Sequence, residues 1–140
     1  MIQDKSLTSK NLYSIVVSKE EDILTARKKA RETAKVMGFN PIDQSRIVTI
    51  ISELARNIYK YAGDGKIIME VIKDNLNKGL SIQAIDNGPG IADVQLALEQ
   101  GYSTSGSLGA GLPAVRRMVD EFSIETEVGK GSHIKLVKWI

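Results

Sequence analysis

Glu53 and Asn57 stand four residues apart in SELARNIYKYAG (residues 52–63). On a helix, that spacing projects both side chains from one face. An amide oxygen is a hard, neutral ligand suited to Mg²⁺. A carboxylate one turn away can orient or deprotonate a nucleophile. Arg46, Thr49, Arg56 and Lys60 share roughly that face. Spacing alone favours a plainer reading, a solvated polar surface with Glu53 paired to Arg56.

A second cluster is DNGPG (residues 86–90), where an apolar run ends at Asp86. Gly88 and Gly90 flank Pro89, so the chain turns sharply and its backbone can approach a ligand closely. Asp and Asn also favour turns for their own sake. The third is GYSTSGSLGAG (residues 101–111), rich in glycine and hydroxyls, without lysine or arginine. GAGLPA (residues 109–114) matches the dinucleotide fingerprint G-x-G-x-x-A, with Glu125 or Glu127 at about the required distance onward. That fingerprint must follow a buried strand directly, and here it follows polar, glycine-broken sequence. A P-loop is excluded because no Gly-Lys-Ser/Thr occurs. What survives is a loop running into a helix start, where free N–H groups favour an anion.

The elements that must hold these clusters follow from periodicity. LYSIVVS (residues 12–18) reads as a strand. Ile23, Ala26, Ala30, Ala34 and Met37 then recur at helical spacing, with Gly38 as a stop. The other face of that helix carries Lys28, Arg31, Glu32 and Lys35 and reads as solvated. A second helix is expected from about Pro41 to Tyr61, ended by Gly63, with Ile47, Ile50, Ile51, Leu54 and Ile58 as its buried stripe. Residues 66–74 and 80–87 read as an antiparallel strand pair, and DVQLALEQ (93–100) as a short helix. Leu112, Val115, Met118 and Val119 mark another amphipathic helix. FSIETEV and HIKLVKWI form a closing hairpin around GKG. Neighbouring strands with helices between them, without regular βαβ alternation, predict an α/β (α+β) two-layer sandwich. Its sheet is expected to be mixed but largely antiparallel.

The length of 140 residues suits one domain spanning residues 1–140. At 42% hydrophobic and 26% charged residues, wholesale disorder is not expected. A net charge of +2 gives no basic footprint for nucleic acid. No cysteine is present, which excludes disulfides and thiolate metal sites and suits a reducing compartment. No apolar run approaches the roughly 20 residues of a membrane helix. The N-terminus MIQDKSLTSKN lacks the apolar middle of a signal peptide. A cytoplasmic location is expected, with neither nucleic acid nor membrane as partner.

Taken in order, SELARNIYKYAG, DNGPGI and STSGSLGAGLPAV resemble the N, G1 and G2 boxes of the ATPase superfamily of gyrase, Hsp90, histidine kinases and MutL. The resemblance runs over nearly the whole chain. Within that superfamily the chain is most similar to the small stand-alone kinases of bacterial sigma-factor regulation, of the stressosome switch type. ISELARNIY, GYSTSGSLGAGLP and the terminal KW carry that likeness. The resemblance implies a Bergerat-type ATP-binding fold with the helices on one face of the sheet. It implies Glu53 as general base toward a protein serine or threonine and Asn57 as holder of Mg²⁺ on the ATP phosphates. Asp86 would accept a hydrogen bond from the adenine amino group, and Gly88 and Gly90 would let the backbone approach the base. Gly101 to Leu108 would form an ATP lid, with Ser103, Thr104, Ser105 and Gly106 among its contacts. Gly109, Ala110, Gly111 and Leu112 would present N–H groups to the phosphates, and Ser132 would lie near adenine.

The same resemblance implies STAS-domain antagonist and scaffold proteins as substrates and a PP2C-type phosphatase as the target activated after release. Two other functions compete: an anti-sigma factor that uses ATP to choose partners, and a nucleotide-gated adaptor without catalysis. Glu53 argues against the adaptor, which needs no base. Arg56 and Arg116 are candidates to add positive charge near the phosphates or to form surface ion pairs. His133 reads as structural, and Trp139 and Phe122 read as packing.

Overall fold

The computed structural model describes residues 8–91 and 111–140. The expected helix at 93–100, the lid segment and Gly109–Ala110 lie outside the described residues. In chain order the elements are β1 (Thr8–Val17), α1 (Glu21–Met37), α2 (Pro41–Asn57), a π-helix (Ile58–Ala62), β2 (Gly65–Lys73), β3 (Lys78–Asp86), α3 (Gly111–Arg117), β4 (Glu121–Glu127) and β5 (Gly131–Trp139).

The strands form one five-stranded sheet in the order β1-β2-β3-β5-β4. Every pairing among them is antiparallel. The mixed component expected from the sequence is therefore absent among the described strands, and the reason is topological. The crossover from β3 to β4 leaves those two strands parallel to each other. β5 inserts between them and pairs antiparallel with both.

Both long helices start on recognisable chemistry, and α1 also stops on it. At the entry to α1 the Asp22 carboxylate accepts from the backbone N–H groups of Ser18 (2.9 Å) and Lys19 (3.0 Å). Those two backbone hydrogen bonds favour the charged form and hold its pKa below the ordinary carboxylate value. Gly38 closes α1 in the left-handed conformation, φ 96°. At α2 the Asn40 side chain accepts from Asp43 N at 2.8 Å, and Pro41 occupies the first turn, where its missing N–H costs nothing.

Strand alternation decides where the core lies. Ile67, Met69 and Val71 of β2, Leu80, Ile82 and Ala84 of β3, and Ile134 and Leu136 of β5 share one face. They pack in one cluster with Ala26, Ala30 and Ala34 of α1, and with Ile47, Ile50, Ile51 and Leu54 of α2. Burying each large aliphatic side chain contributes about 1.5–3 kcal/mol. On the other face of β1, Leu12 and Val16 are exposed, so the described residues form two layers, helices and sheet, with no third layer among them over β1. Lys138 occupies a core-face position on β5 yet is satisfied there. Its ammonium donates to the Met118 carbonyl at 2.7 Å and lies 3.5 Å from Asp43 Oδ1, tying the end of α3 to the start of α2.

Candidate functional site

Glu53 lies within the buried run Ile50–Ala55 of α2 and is only 4% exposed. Its Oε2 lies 3.1 Å from Arg56 Nη1. The pairing expected from spacing is present; the solvated surface is not. A carboxylate this deep is tolerated because a guanidinium answers its charge.

One residue beyond Asn57 the helix changes pitch. Gly63 donates its N–H to Ile58 O at 2.9 Å, closing a turn of five residues, where an uninterrupted α-helix had been expected to Tyr61. Such widened turns concentrate at functional sites. Here the extra residue carries the chain toward the end of β3. A Cβ on Gly88 would lie 2.6 Å from Ala62 Cβ and 2.7 Å from Ala62 Cα. A Cβ on Gly65 would meet Ile85 O, Ile58 and Asp86. Glycine at those positions is what lets the π-helix, β2 and the DNGPG turn close on one another.

Asp86 is the last residue of β3, and its Oδ1 accepts from Gly88 N at 2.9 Å. Directly opposite on β5 stands Ser132, itself opposite Thr126 of β4. The two hydroxyl oxygens are 2.9 Å apart, and Thr126 Oγ1 also accepts from Ile91 N at 2.9 Å. Gly129 N donates to Pro89 O at 2.8 Å, which fastens the β4–β5 turn to DNGPG. A side chain at Gly131 would strike the Asp86 carbonyl, and one at Gly90 would strike that of Glu127. Two turns and a helix end are thus locked around Asp86. Gly88→Ala should cost about 1–3 kcal/mol by overpacking. A thermal melt should show a lowered midpoint, partly restored by adding Ala62→Gly.

The structure therefore gathers Asp86, Gly88, Gly90 and Ser132 at one end of the sheet. Asn57 ends α2 directly before the π-helix that meets Gly88, and Glu53 lies one helical turn back. Gly111, at φ 62°, is the first residue of α3, and buried Leu112 and Val115 seat that helix in the core cluster that α2 also lines. Ser103, Thr104, Ser105, Gly106, Gly109 and Ala110 lie outside the described residues. Thr126, Ala62 and Gly131 were missed from sequence. Only the hairpin register, 127 opposite 131, could have signalled Thr126. Arg56 is committed to Glu53, and His133 pairs with Gln83 at 2.7 Å.

No group of three or more acidic, histidine or cysteine side chains gathers as a metal site among the described residues. The amide oxygen of Asn57 is a hard neutral donor of the kind that could supply one ligand to a Mg²⁺ held otherwise by phosphates and water. No helix among the described residues is long and apolar enough to cross a membrane.

Comparison with known proteins gives a consistent result. Residues 42–139 match the family "Histidine kinase-, DNA gyrase B-, and HSP90-like ATPase". The chain is 54% identical over 121 residues to serine/threonine-protein kinase RsbT of Bacillus subtilis, covering 86% of this chain and 91% of that one. It is 31% identical over 98 residues to an anti-sigma F factor of Caldanaerobacter subterraneus, covering 67% and 68%. Among solved structures, the RsbU and RsbW domains of Rv1364c from Mycobacterium tuberculosis superpose with a TM-score of 0.65 at 17% identity. That match takes in 92% of this chain and about a third (32%) of the other. The mycobacterial sensor histidine kinase MprB superposes with a TM-score of 0.52 at 14% identity, covering 92% and 96%. At such identities the two structures speak for the fold alone. The buried acid–amide helix, the Asp86 turn and the family match across most of the length converge: this chain belongs to the histidine kinase-, DNA gyrase B- and HSP90-like ATPases.

Proposed function

We propose that the protein is an ATP-dependent serine/threonine protein kinase acting in partner switching. The observation that carries this reading is the placement of a buried carboxylate, Glu53, one turn from Asn57 on a helix whose end is clamped against Asp86. Phosphoryl transfer needs positioning and charge stabilisation more than covalent chemistry by the protein, and these groups supply the positions. Glu53 takes the proton of the acceptor hydroxyl. Asp86 receives the adenine amino group on its second carboxylate oxygen, the first being held by Gly88 N. Gly88, Gly90 and Ser132 shape the surface that meets the base. Asn57 would hold Mg²⁺, which would supply charge neutralisation at the phosphates. Gly111 and Leu112, with Gly109, Ala110 and the hydroxyls of residues 103–105, face the phosphates.

The substrates are STAS-domain antagonist and scaffold proteins, and a PP2C-type phosphatase is the partner activated after release, in the cytoplasm. The identity to RsbT over most of both chains supports this choice. The likeness to anti-sigma F factors favours a second reading, in which the chain holds a sigma subunit directly and ATP sets partner choice. Mixing the purified chain with Mg-ATP and a STAS-domain antagonist should put phosphate on a serine or threonine of the antagonist, read by mass spectrometry. An unmodified antagonist, together with a stable complex with a sigma subunit, would overturn the kinase reading in favour of the second.

A further inference from the structure

The far end of the sheet holds a different kind of site. β2 runs from Gly65, opposite Asp86, to Lys73, opposite Lys78. At about 3.4 Å per residue the two ends lie roughly 27 Å apart. Between the second half of α1 and the Lys73/Lys78 end lies a cavity of about 260 Å³. Buried Thr33, Met37 and Val71 are among its lining residues. Val36, 86% exposed, also lines it. Lys29, Lys73 and Lys78 reach it as well, and Glu32 is the sole carboxylate in the lining.

Among the described residues the three ammonium groups outnumber the one carboxylate of the lining. Lys73 and Lys78 stand directly opposite each other on paired strands, an arrangement of like charges that is destabilising by itself. Lys29 lies over the ring of Tyr13, 3.8 Å from its centroid, and so is held toward the same space. None of the three lysines forms an ion pair among the described residues. The neighbouring Asp74 carboxylate is spent on the β2–β3 turn, accepting from Leu76 N at 3.2 Å and Asn77 N at 2.9 Å. An oxyanion among the ammonium groups would offset the repulsion that the strand register imposes. The volume lies below the roughly 300–1,000 Å³ of pockets for drug-sized ligands, which points to one charged group and a short stem. Val71 and Met37 give that stem an apolar wall.

We propose that this cavity is a binding site for a phosphate or carboxylate group on a short apolar stem, remote from the nucleotide end of the sheet. The inference does not depend on the kinase reading. Its test is an NMR titration of the full chain with inorganic phosphate at constant ionic strength, against chloride as control. Amide signals of Thr33, Val71 and Lys73 should shift saturably, while that of Ser132 reports separately on the distant end. Lys73→Met/Lys78→Met removes a repulsion and should keep the fold. It should weaken binding at the cavity at least tenfold and leave ATP affinity unchanged. Shifts no larger than with chloride, or undiminished in the double variant, would overturn the proposal. A blocked phosphoserine peptide and butyrate then separate the sources. Tightest binding of the peptide identifies a protein side chain as the natural ligand; tightest binding of butyrate identifies a free small anion with its own stem, and inorganic phosphate binding tightest of the three would overturn the apolar stem.

Discussion

Glu53→Gln should leave ATP bound and reduce phosphate transfer to a STAS-domain protein by about 10²–10⁴-fold, the range supplied by a positioned general base. Glutamine keeps the size and shape of the side chain, so α2 loses little packing at a position that is only 4% exposed. What disappears is the negative charge that answers Arg56 and that, in the proposed mechanism, accepts the proton. The Arg56 side chain is 33% exposed. It can turn toward solvent, so the variant should escape most of the roughly 3–5 kcal/mol cost of breaking a fully buried pair. Glu53→Ala is the poorer probe, because it adds a cavity inside the run Ile50–Ala55. Single-turnover transfer of labelled phosphate, read beside an ATP titration and a thermal melt, separates the possibilities. Unchanged transfer with intact folding would remove Glu53 from the mechanism. Loss of ATP binding as well would mean that Glu53 shapes the nucleotide site and does not act on the acceptor.

Why Glu53 could be found from sequence, while its setting could not, shows where the chain's information lies. The five apolar positions expected for the second helix repeat at helical spacing, and all of them are buried: Ile47, Ile50, Ile51 and Leu54 in α2, and Ile58 at the start of the π-helix. The same local geometry put Glu53 beside Arg56 and Asn57. The two-strand unit β2–β3 was equally readable, since a short turn leaves few ways to pair. The π-turn was not readable. Its cause is tertiary: the absence of a Cβ at Gly65 and Gly88 admits Ile58 and Ala62. The contact of Ala62 with Gly88 joins segments far apart in sequence, and no periodicity within residues 58–62 announces either contact.

The sheet order was hidden for a related reason. Strand pattern assigns faces but not neighbours, so nothing in HIKLVKWI says that β5 separates β3 from β4. That insertion is what places Ser132 beside Asp86. The hairpin turn also falls at 128–130, with 127 opposite 131, where GKG had suggested residues 129–131. A change of register at a turn moves every cross-strand partner, which is why Thr126 went unnoticed as the third member of the row Asp86–Ser132–Thr126.

Asp86→Asn should weaken ATP binding by about 10–150-fold, the equivalent of losing a charged hydrogen bond worth roughly 1.5–3 kcal/mol. In the proposed complex Asp86 has two tasks, one per oxygen. Oδ1 accepts from Gly88 N and sets the turn. Oδ2, which has no hydrogen-bond partner among the described residues, faces the adenine amino group in the proposed complex. Asparagine can perform only one of them. If its oxygen stays on Gly88 N–H, its amide hydrogens oppose the adenine amino group, donor against donor. If it flips, adenine is recognised but the turn loses its acceptor. The same change relaxes nucleotide choice, because an amide donor suits the guanine O6 that a carboxylate repels, so the ATP-to-GTP affinity ratio should fall. The melting temperature should move little, since strand pairing with Ser132 is made by the backbone. An ATP dissociation constant within twofold of the parent, measured by calorimetry, would place the adenine contact elsewhere. A large fall in melting temperature would instead assign Asp86 to the turn alone.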